Sequence, residues 1–400
     1  MDSHQHVRPQ LSLKLVNGPI QLRNFIFYLI IFGSALFVGF TFCFFLNQIS
    51  FNFLHSQFSA QNPPIRQSLS SPIPRPPPCL PSVPTETKPR IRLNEFLGQH
   101  NLFHGMEEEE LLWRASLVPR ILEFPVKVVP KVAFLFLSRG SLGLAALWEL
   151  FFKGHEGFYT IYWHTGPGLK ETVPESSVFY GRQIPSQEVR WGQNTMIEAE
   201  RRLLANALLD FSNRRFVLIS ESCIPLYNFS TIYTYLMGSA QSFVSVYNDL
   251  PSPEVRRHYR SQMRPVVQFH QWQKGSQWFQ MNRHLAVEVV SDTTYFPMFQ
   301  KFCTSPCVSD EHYLPTFVYI KFGKKNANRT LTWVDWSRGG PHPRKFGTVH
   351  VTVNFLEWIR NSTTCRHNGQ TTNVCYLFAR KFSPDALEKL LELAATVMKF

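Results

Sequence analysis

The chain has 400 residues, of which 44% are hydrophobic, so it can bury a large core in one domain or two. A chain of this length and composition does not belong to the class of small proteins whose hydrophobic core is only marginal. The 41 Lys and Arg residues outnumber the 28 Asp and Glu residues, which gives a formal net charge of +13. Such an excess favours an anionic partner, such as a phosphate-bearing substrate, a membrane surface or a nucleic acid.

Residues 25–46, FIFYLIIFGSALFVGFTFCFFL, are a run of 22 residues without a charge. At 1.5 Å per residue, a helix of this length is roughly 33 Å long, which is enough to cross a bilayer core. No small-residue cleavage site follows the run, and the next charged residue is Arg66. Because cationic residues precede it, the positive-inside rule predicts a single-pass type II signal anchor. Residues 1–24 are then a cytosolic tail, and the rest of the chain is lumenal.

The predicted lumenal side carries three N-glycosylation sequons, at Asn228, Asn328 and Asn361. Six of the seven cysteines also lie beyond the anchor, where disulfides can form. The Phe-rich anchor suits the thinner membranes of the early secretory pathway. The predicted location is therefore the Golgi membrane, and a lumenal domain disfavours nucleic acid as a partner.

Residues 47–92 are rich in Pro and Ser and predict an extended, polyproline-type stem. A ligand for an SH3-type domain is the disfavoured alternative, because no such reader is expected in a lumen. Cys79 in this stem can pair with the folded domain or with a second chain. Residues 93–400 are the predicted lumenal domain.

From residue 106 onwards, apolar strand-like runs alternate with helical patterns. Strands are predicted at 131–140, 158–166, 215–226 and 242–249. Helices are predicted at 106–116, 142–154, 196–210, 231–239 and 383–400, the last with Ser383 as its N-cap. This alternation predicts an α/β domain with a mostly parallel central sheet. An Asn368-Gly369 turn between Cys365 and Cys375 predicts a hairpin closed by a disulfide.

A type II anchor, a Pro-rich stem and a lumenal α/β domain are the layout of a Golgi glycosyltransferase, although layout alone does not establish a site. Sugar transfer from a nucleotide diphosphate needs positive charge at the leaving diphosphate and a base at the acceptor hydroxyl. Many such enzymes hold a metal with an Asp-x-Asp pair, and this sequence contains none. We therefore expect fixed Lys and Arg residues to replace the metal, and no cofactor.

The segment CTSPCVSDEHYLPT, residues 303–316, concentrates cysteine, histidine and carboxylate side chains. Cys303 and Cys307 could ligate zinc together with His312, or they could form a disulfide. The disulfide is favoured, because the predicted compartment is oxidising and no second ligand pair has a matching spacing.

The acidic pair in this segment has two interpretations. Asp310 and Glu311 follow Ser309, so they fit the first turn of a helix behind an N-cap. Alternatively, one of them is a catalytic base; both are unlikely to serve one site, because adjacent helical side chains point about 100° apart. Pro315 lacks the backbone donor that would follow Glu311 by four residues, so the helix is expected to be short or kinked.

Six segments in order resemble the core-2/I-branching β-1,6-N-acetylglucosaminyltransferase-like family (glycosyltransferase family 14), in particular its plant branch. They cover nearly the whole lumenal domain from about residue 131. The segments are VRWGQNTMIEAERRLLANALLD (189–210), RFVLISESCIPLYNFSTIY (215–233), WQKGSQWFQMNRHLA (272–286), CVSDEHYLPTFV (307–318), LTWVDWSRGGPHP (331–343) and VCYLFARKF (374–382).

This resemblance implies a GT-A-type fold and an inverting, metal-independent transfer of a sugar from a UDP-sugar to a glycan or glycoprotein acceptor. GlcNAc or another sugar in β linkage would be transferred, with cell-wall glycans among the acceptors. The resemblance assigns the catalytic base to Glu311 and diphosphate binding to Lys381. The family's second cation is an Arg inside a small disulfide loop, which has no clear counterpart here. Arg380 and Arg366 are equal candidates for it.

Glu221, at the polar end of the strand predicted at 215–226, and four tryptophans are candidate contacts to the sugar or the acceptor. The tryptophans are Trp272, Trp278, Trp333 and Trp336, with Trp278 and Trp336 preferred. The alternatives are a turn cap for Glu221 and core packing for the tryptophans. The rival function is a non-catalytic lumenal protein, a scaffold or a glycan-binding module that retains the fold.

Overall fold

The computed structural model of the protein describes residues 102–121, 127–169, 173–247 and 258–400, together with Phe32. Apart from Phe32, the predicted anchor and the predicted stem lie outside these residues. Among the residues described, no helix is both long and apolar enough to cross a membrane. The chain divides into two units, Met1–Glu86 and Thr87–Phe400, and the second unit contains the sheets.

A four-stranded sheet in the spatial order β2–β1–β3–β5 forms the centre of the second unit. Its strands are β1 (Lys131–Leu137), β2 (Tyr159–His164), β3 (Asn213–Ser220) and β5 (Gln280–Asn282). β1 runs parallel to β2 and to β3, and β5 pairs antiparallel with β3. β1 and β3 are buried along almost their whole length, which explains their continuous apolar sequences. The prediction of a mostly parallel sheet is confirmed.

Nine α-helices are assigned within the described ranges. They are α1 (Glu108–Ser116), α2 (Ala145–Phe152), α3 (Asn194–Leu208), α4 (Phe229–Gly238), α5 (Arg283–Val290), α6 (Phe296–Phe302), α7 (Ser309–Lys321), α8 (Val353–Asn361) and α9 (Leu387–Leu393). α3 packs against the three parallel strands and also touches α1, α5 and α7, so it is buried even at charged positions. The first four predicted helices are confirmed.

A second, three-stranded sheet contains strands from the C-terminal part of the chain. It consists of β4 (Ile224–Pro225), β9 (Phe378–Arg380) and β6 (Thr332–Val334), in that order. β4 begins four residues after β3 ends and pairs antiparallel with β9. This pairing brings the end of β9 next to the end of β3, although about 160 residues separate them in sequence.

Both predicted disulfides are present. Cys365 and Cys375 close the hairpin of β7 (Cys365–His367) and β8 (Gln370–Thr372), whose Asn368-Gly369 turn has positive φ at both residues. Cys303 and Cys307 are joined, with their Cα atoms 5.3 Å apart, so neither is a zinc ligand.

Two predicted elements differ from the structure. The strand at 242–249 is reduced to isolated bridges at Ser242 and Phe243, because β5 beside it is only three residues long; residues 248 and 249 lie outside the described ranges. The helix at 383–400 is interrupted, with a 3₁₀ turn before α9 and a π-helix at Ala394–Met398 after it. Ser383 does occupy the N-cap position of the 3₁₀ turn, but its side chain makes no capping hydrogen bond, and its hydroxyl donates to the Phe346 carbonyl at 3.2 Å.

Candidate active site

A cavity of about 1050 Å³ opens at the carboxyl ends of β1, β2 and β3. The other walls come from the 274–278 loop, the first turn of α7 and the end of β9. Ligands of open α/β sheets bind at this edge, because loops of several strands converge there. The cavity brings together most of the predicted site residues, namely Glu221, Trp278, Glu311, Trp336, Arg380 and Lys381.

Glu311 lies in the first turn of α7, where its side chain is 25% exposed and lines the cavity. α7 continues through Pro315 to Lys321, so of the two expected outcomes, a short or a kinked helix, the short helix is excluded. Pro315 cannot donate to the Glu311 carbonyl, and the backbone N–H of Gly275 donates to that carbonyl at 2.9 Å instead. The 274–278 loop thus satisfies the acceptor that the proline leaves free.

Two further hydrogen bonds attach the residue before this loop to α7. His312 Nδ1 donates to the Gln273 carbonyl at 2.8 Å, and the Gln273 N–H donates to Thr316 Oγ1 at 3.0 Å. Burial lowers the pKa of His312 to about 4, so its imidazole is neutral near neutral pH. Its ring also stacks on Trp272, which is fully buried. His312 and Trp272 therefore support the site and do not line it.

The close approach of the loop to its neighbours requires glycine at position 275. A Cβ there would lie 1.8 Å from the Ser245 carbonyl oxygen. The result is a fixed position for Lys274, whose Nζ lies 3.1 Å from Glu311 Oε2. Sequence reasoning missed Lys274, because a single lysine inside WQKGSQW carries no pattern of its own.

Asp310 precedes Glu311 on α7 and is only 4% exposed, yet it also lines the cavity. The expectation that the two adjacent acids would not reach one site was therefore wrong. Burial raises the pKa of Asp310 to about 7, and the negative charge of Glu311 adds to this shift. Behind it, Glu200 of α3 is buried, and its pKa is raised first by burial and then by Asp310. Gln277 Nε2 donates to Glu200 Oε1 at 2.9 Å. We call Asp310 and Glu311, which line the cavity, the acidic wall.

The expected N-cap of this helix differs from the observed one. α7 begins at Ser309, its N-cap residue is Val308, and no side chain makes a capping hydrogen bond. The Ser309 hydroxyl is buried without a hydrogen-bond partner. The capping interpretation of the segment was therefore wrong for Ser309, although both acids do occupy the first turn.

Four cations also line the cavity and form what we call the cationic wall: Arg139, Lys345, Arg380 and Lys381. The pKa of Lys381 is lowered first by burial and then by the positive charges of Arg380, Lys345 and Arg139, whereas Glu221 opposes the shift. Several cations with one nearby carboxylate create a positive potential that suits a phosphate-bearing ligand.

The two candidate arginines occupy different places. Arg380 ends β9 beside Lys381, and its guanidinium lies 4.0 Å over the Trp278 ring. Arg366 lies in the exposed hairpin, where it donates to the Gly369 carbonyl at 2.9 Å, and it is not among the cavity residues. Only Arg380 is therefore placed to act with Lys381.

The tryptophans also divide by position. Trp336 is 47% exposed at the cavity rim, so its ring can stack on a sugar. Trp278 is buried under Arg380, and Trp272 and Trp333 belong to the hydrophobic core. Core packing is thus the better interpretation for these three.

The structure leaves the remaining site predictions open. Asn328 and Asn361 are exposed, whereas Asn228 caps α4 by accepting from the Thr231 N–H at 2.9 Å. Within the described ranges, no three His, Cys, Asp or Glu side chains are grouped as metal ligands. Glycosylation and metal independence stay predictions.

The sequence model described as "Core-2/I-Branching enzyme" matches residues 132–360, more than half of the chain. The chain belongs to the core-2/I-branching enzyme family. It is also 35% identical over 311 residues to a protein of Oryza sativa subsp. japonica named "Glycosyltransferase BC10". This similarity covers 66% of the chain and 76% of the relative. Membership makes the chain a glycosyltransferase.

The range matched by the core-2/I-branching model includes Lys274 and the acidic wall, but it ends before Arg380 and Lys381. The place of these two cations in the site therefore rests on the pairing of β9 with β4, which follows the end of β3. No sequence pattern marked Arg139 and Lys345, because both lie in loops and only folding places them near Lys381.

Proposed function

We propose that this glycosyltransferase transfers a sugar from a UDP-sugar to a hydroxyl of a glycan acceptor, with inversion and without a metal, in the Golgi lumen. The observation that carries the proposal is that one cavity is lined both by the cationic wall and by Glu311. GlcNAc in β linkage is the first donor sugar to test, with glycoprotein and cell-wall glycans as acceptors.

The cationic wall would hold the diphosphate of the donor. Lys381 and Arg380 lie side by side at the end of β9, and Arg139 and Lys345 add charge from two other loops. Fixed cations that need no reorganisation stabilise the charge that develops on the leaving group. The ring of Trp336 at the rim is available to a sugar.

In the chemical step, Glu311 accepts the proton of the acceptor hydroxyl as that oxygen bonds to the anomeric carbon of the donor. The bond from this carbon to the diphosphate oxygen breaks, and UDP leaves with the electron pair. Attack from the face opposite to the leaving group inverts the anomeric configuration. Lys274, 3.1 Å from Glu311 Oε2, fixes the direction of the carboxylate before the acceptor binds.

The direct test is to incubate the purified protein with a panel of UDP-sugars and glycan acceptors, with and without EDTA. We expect one donor to support transfer and EDTA to change the rate by less than about twofold. Loss of transfer in EDTA, with recovery on adding a divalent cation, would refute metal independence. Absence of both donor binding and donor hydrolysis would favour the non-catalytic rival.

The location is tested separately with a C-terminal tag. A type II protein places this tag in the lumen, so it should resist protease in sealed microsomes and be digested after detergent is added. A fluorescent fusion should label the Golgi. Digestion of the tag in sealed vesicles would contradict the proposed orientation.

A further inference from the structure

Asp310 has an unusual environment for a buried carboxyl group. It is only 4% exposed and lines the cavity, yet its Oδ1 atom has no hydrogen-bond partner. A buried acceptor without a partner costs free energy, so native structures rarely keep one without a reason.

Two other buried aspartates show what a structural carboxylate looks like in this fold. Asp292 is 7% exposed and accepts from three backbone N–H groups and from the Tyr313 hydroxyl. Asp210 is 5% exposed, accepts from Ser212 and pairs with Lys131 at 3.4 Å. Neither of them lines the cavity. The unpartnered oxygen occurs on the aspartate that does.

The charged neighbours of Asp310 already have other partners. Lys274 pairs with Glu311, and Glu200 accepts from Gln277. None of these contacts is a hydrogen bond to the Asp310 side chain, so a partner for its carboxyl group is left to come from the cavity that this residue lines.

We propose that Asp310 is a substrate-contacting residue whose carboxyl group forms a hydrogen bond with a sugar ring hydroxyl. This inference rests on the proposed function and deepens it. A hydroxyl both donates and accepts, so it suits a carboxyl group in either protonation state. The hydroxyl bound by Asp310 lies close to the one that Glu311 deprotonates, since both residues line the same cavity. It belongs either to the acceptor sugar or to the donor sugar.

The test compares the Asp310→Ala and Asp310→Asn variants with the wild-type protein on the best donor and acceptor from the panel. Loss of a hydrogen bond to a carboxylate should lower kcat/KM by about 10- to 100-fold in Asp310→Ala. Asp310→Asn retains one acceptor oxygen, so its loss should be smaller. A rise in acceptor KM assigns the hydroxyl to the acceptor. A loss of UDP-sugar affinity with UDP affinity unchanged, measured by calorimetry, assigns it to the donor.

Ser309→Ala is the matched control, because Ser309 lies in the same helical turn with a buried, unpartnered hydroxyl but does not line the cavity. It should leave both KM values within about twofold of wild type. Wild-type kinetics in Asp310→Ala would overturn the inference, as would equal losses in Asp310→Ala and Ser309→Ala. If Asp310→Ala fails to fold, wild-type kinetics in Asp310→Asn on both substrates would overturn it. Failure of the wild-type protein to bind any UDP-sugar would instead refute the proposed function.

Discussion

The two walls of the cavity differ in how their charges are balanced. On the acidic wall, Glu311 has an ion pair with Lys274, whereas Asp310 Oδ1 has no hydrogen-bond partner. On the cationic wall, no ion pair within the described residues joins Arg139, Lys345 or Lys381 to a carboxylate. The protein therefore pairs the carboxylate of Glu311 within itself, whereas Glu221 opposes the positive charge of the cationic wall without an ion pair to it among the described residues. We infer that the acidic wall is built for chemistry and the cationic wall for binding an anion.

The largest expected effect comes from replacing Glu311, the proposed base. Glu311→Gln keeps the shape of the side chain but cannot accept the acceptor proton, so kcat should fall by about 10²- to 10⁴-fold. UDP-sugar affinity should change little, because the cationic wall is intact. Steady-state kinetics and donor calorimetry measure the two effects. Full activity in this variant would remove Glu311 from the mechanism and erase the distinction between the walls.

Removing a charge from the cationic wall should instead weaken donor binding. Lys381→Met removes one charge from the wall and should lower UDP-sugar affinity by about 10- to 100-fold. Lys389→Met is a suitable control, since Lys389 lies on α9, pairs with Glu392 and does not line the cavity. Equal donor affinities for the two variants, measured by calorimetry, would contradict the role given to the cationic wall.

The buried Asp310 makes stability depend on pH. Its pKa is raised from 3.8 to about 7 in the folded protein, beside Glu200, Glu311 and Lys274. The folded state therefore binds the proton more tightly than the unfolded state, and stability falls as pH rises between these two values. From about pH 5 to about pH 8, this residue should cost on the order of 2–3 kcal/mol of unfolding free energy.

Asp310→Asn should remove that part of the pH dependence. The variant should be more stable than the wild-type protein at about pH 8, and the advantage should shrink towards about pH 4. Urea unfolding at several pH values measures the difference. An advantage that is independent of pH would show that Asp310 does not titrate in this range.

The smallest effect is expected outside both walls. Arg366→Ala removes an exposed guanidinium that bonds only within its hairpin, so donor affinity should stay within about twofold of wild type. Arg380 is the arginine placed beside Lys381. If Arg366→Ala lowered donor affinity as much as Lys381→Met, then Arg366 in the disulfide hairpin would be the second cation in place of Arg380.

Local patterns in the sequence predicted the elements and most of their types. The continuous apolar runs of β1 and β3 fit only a sheet buried on both faces, and the Asn-Gly turn between two cysteines fits a hairpin. The local pattern gave a wrong prediction where pairing with another segment decides whether a strand forms. Residues 242–249 have strand composition, but β5 is too short to continue the ladder.

By itself, the sequence determined the α/β fold, both disulfides and, through the resemblance, the choice of Glu311 and Lys381. Only the tertiary structure decided which arginine accompanies Lys381, because that depends on the pairing of β9 with β4. It also decided that Lys274 faces Glu311 and that Asp310 is buried beside it. Secondary structure follows from the period of neighbouring residues, whereas a site is made of distances between residues far apart in the chain, which packing sets.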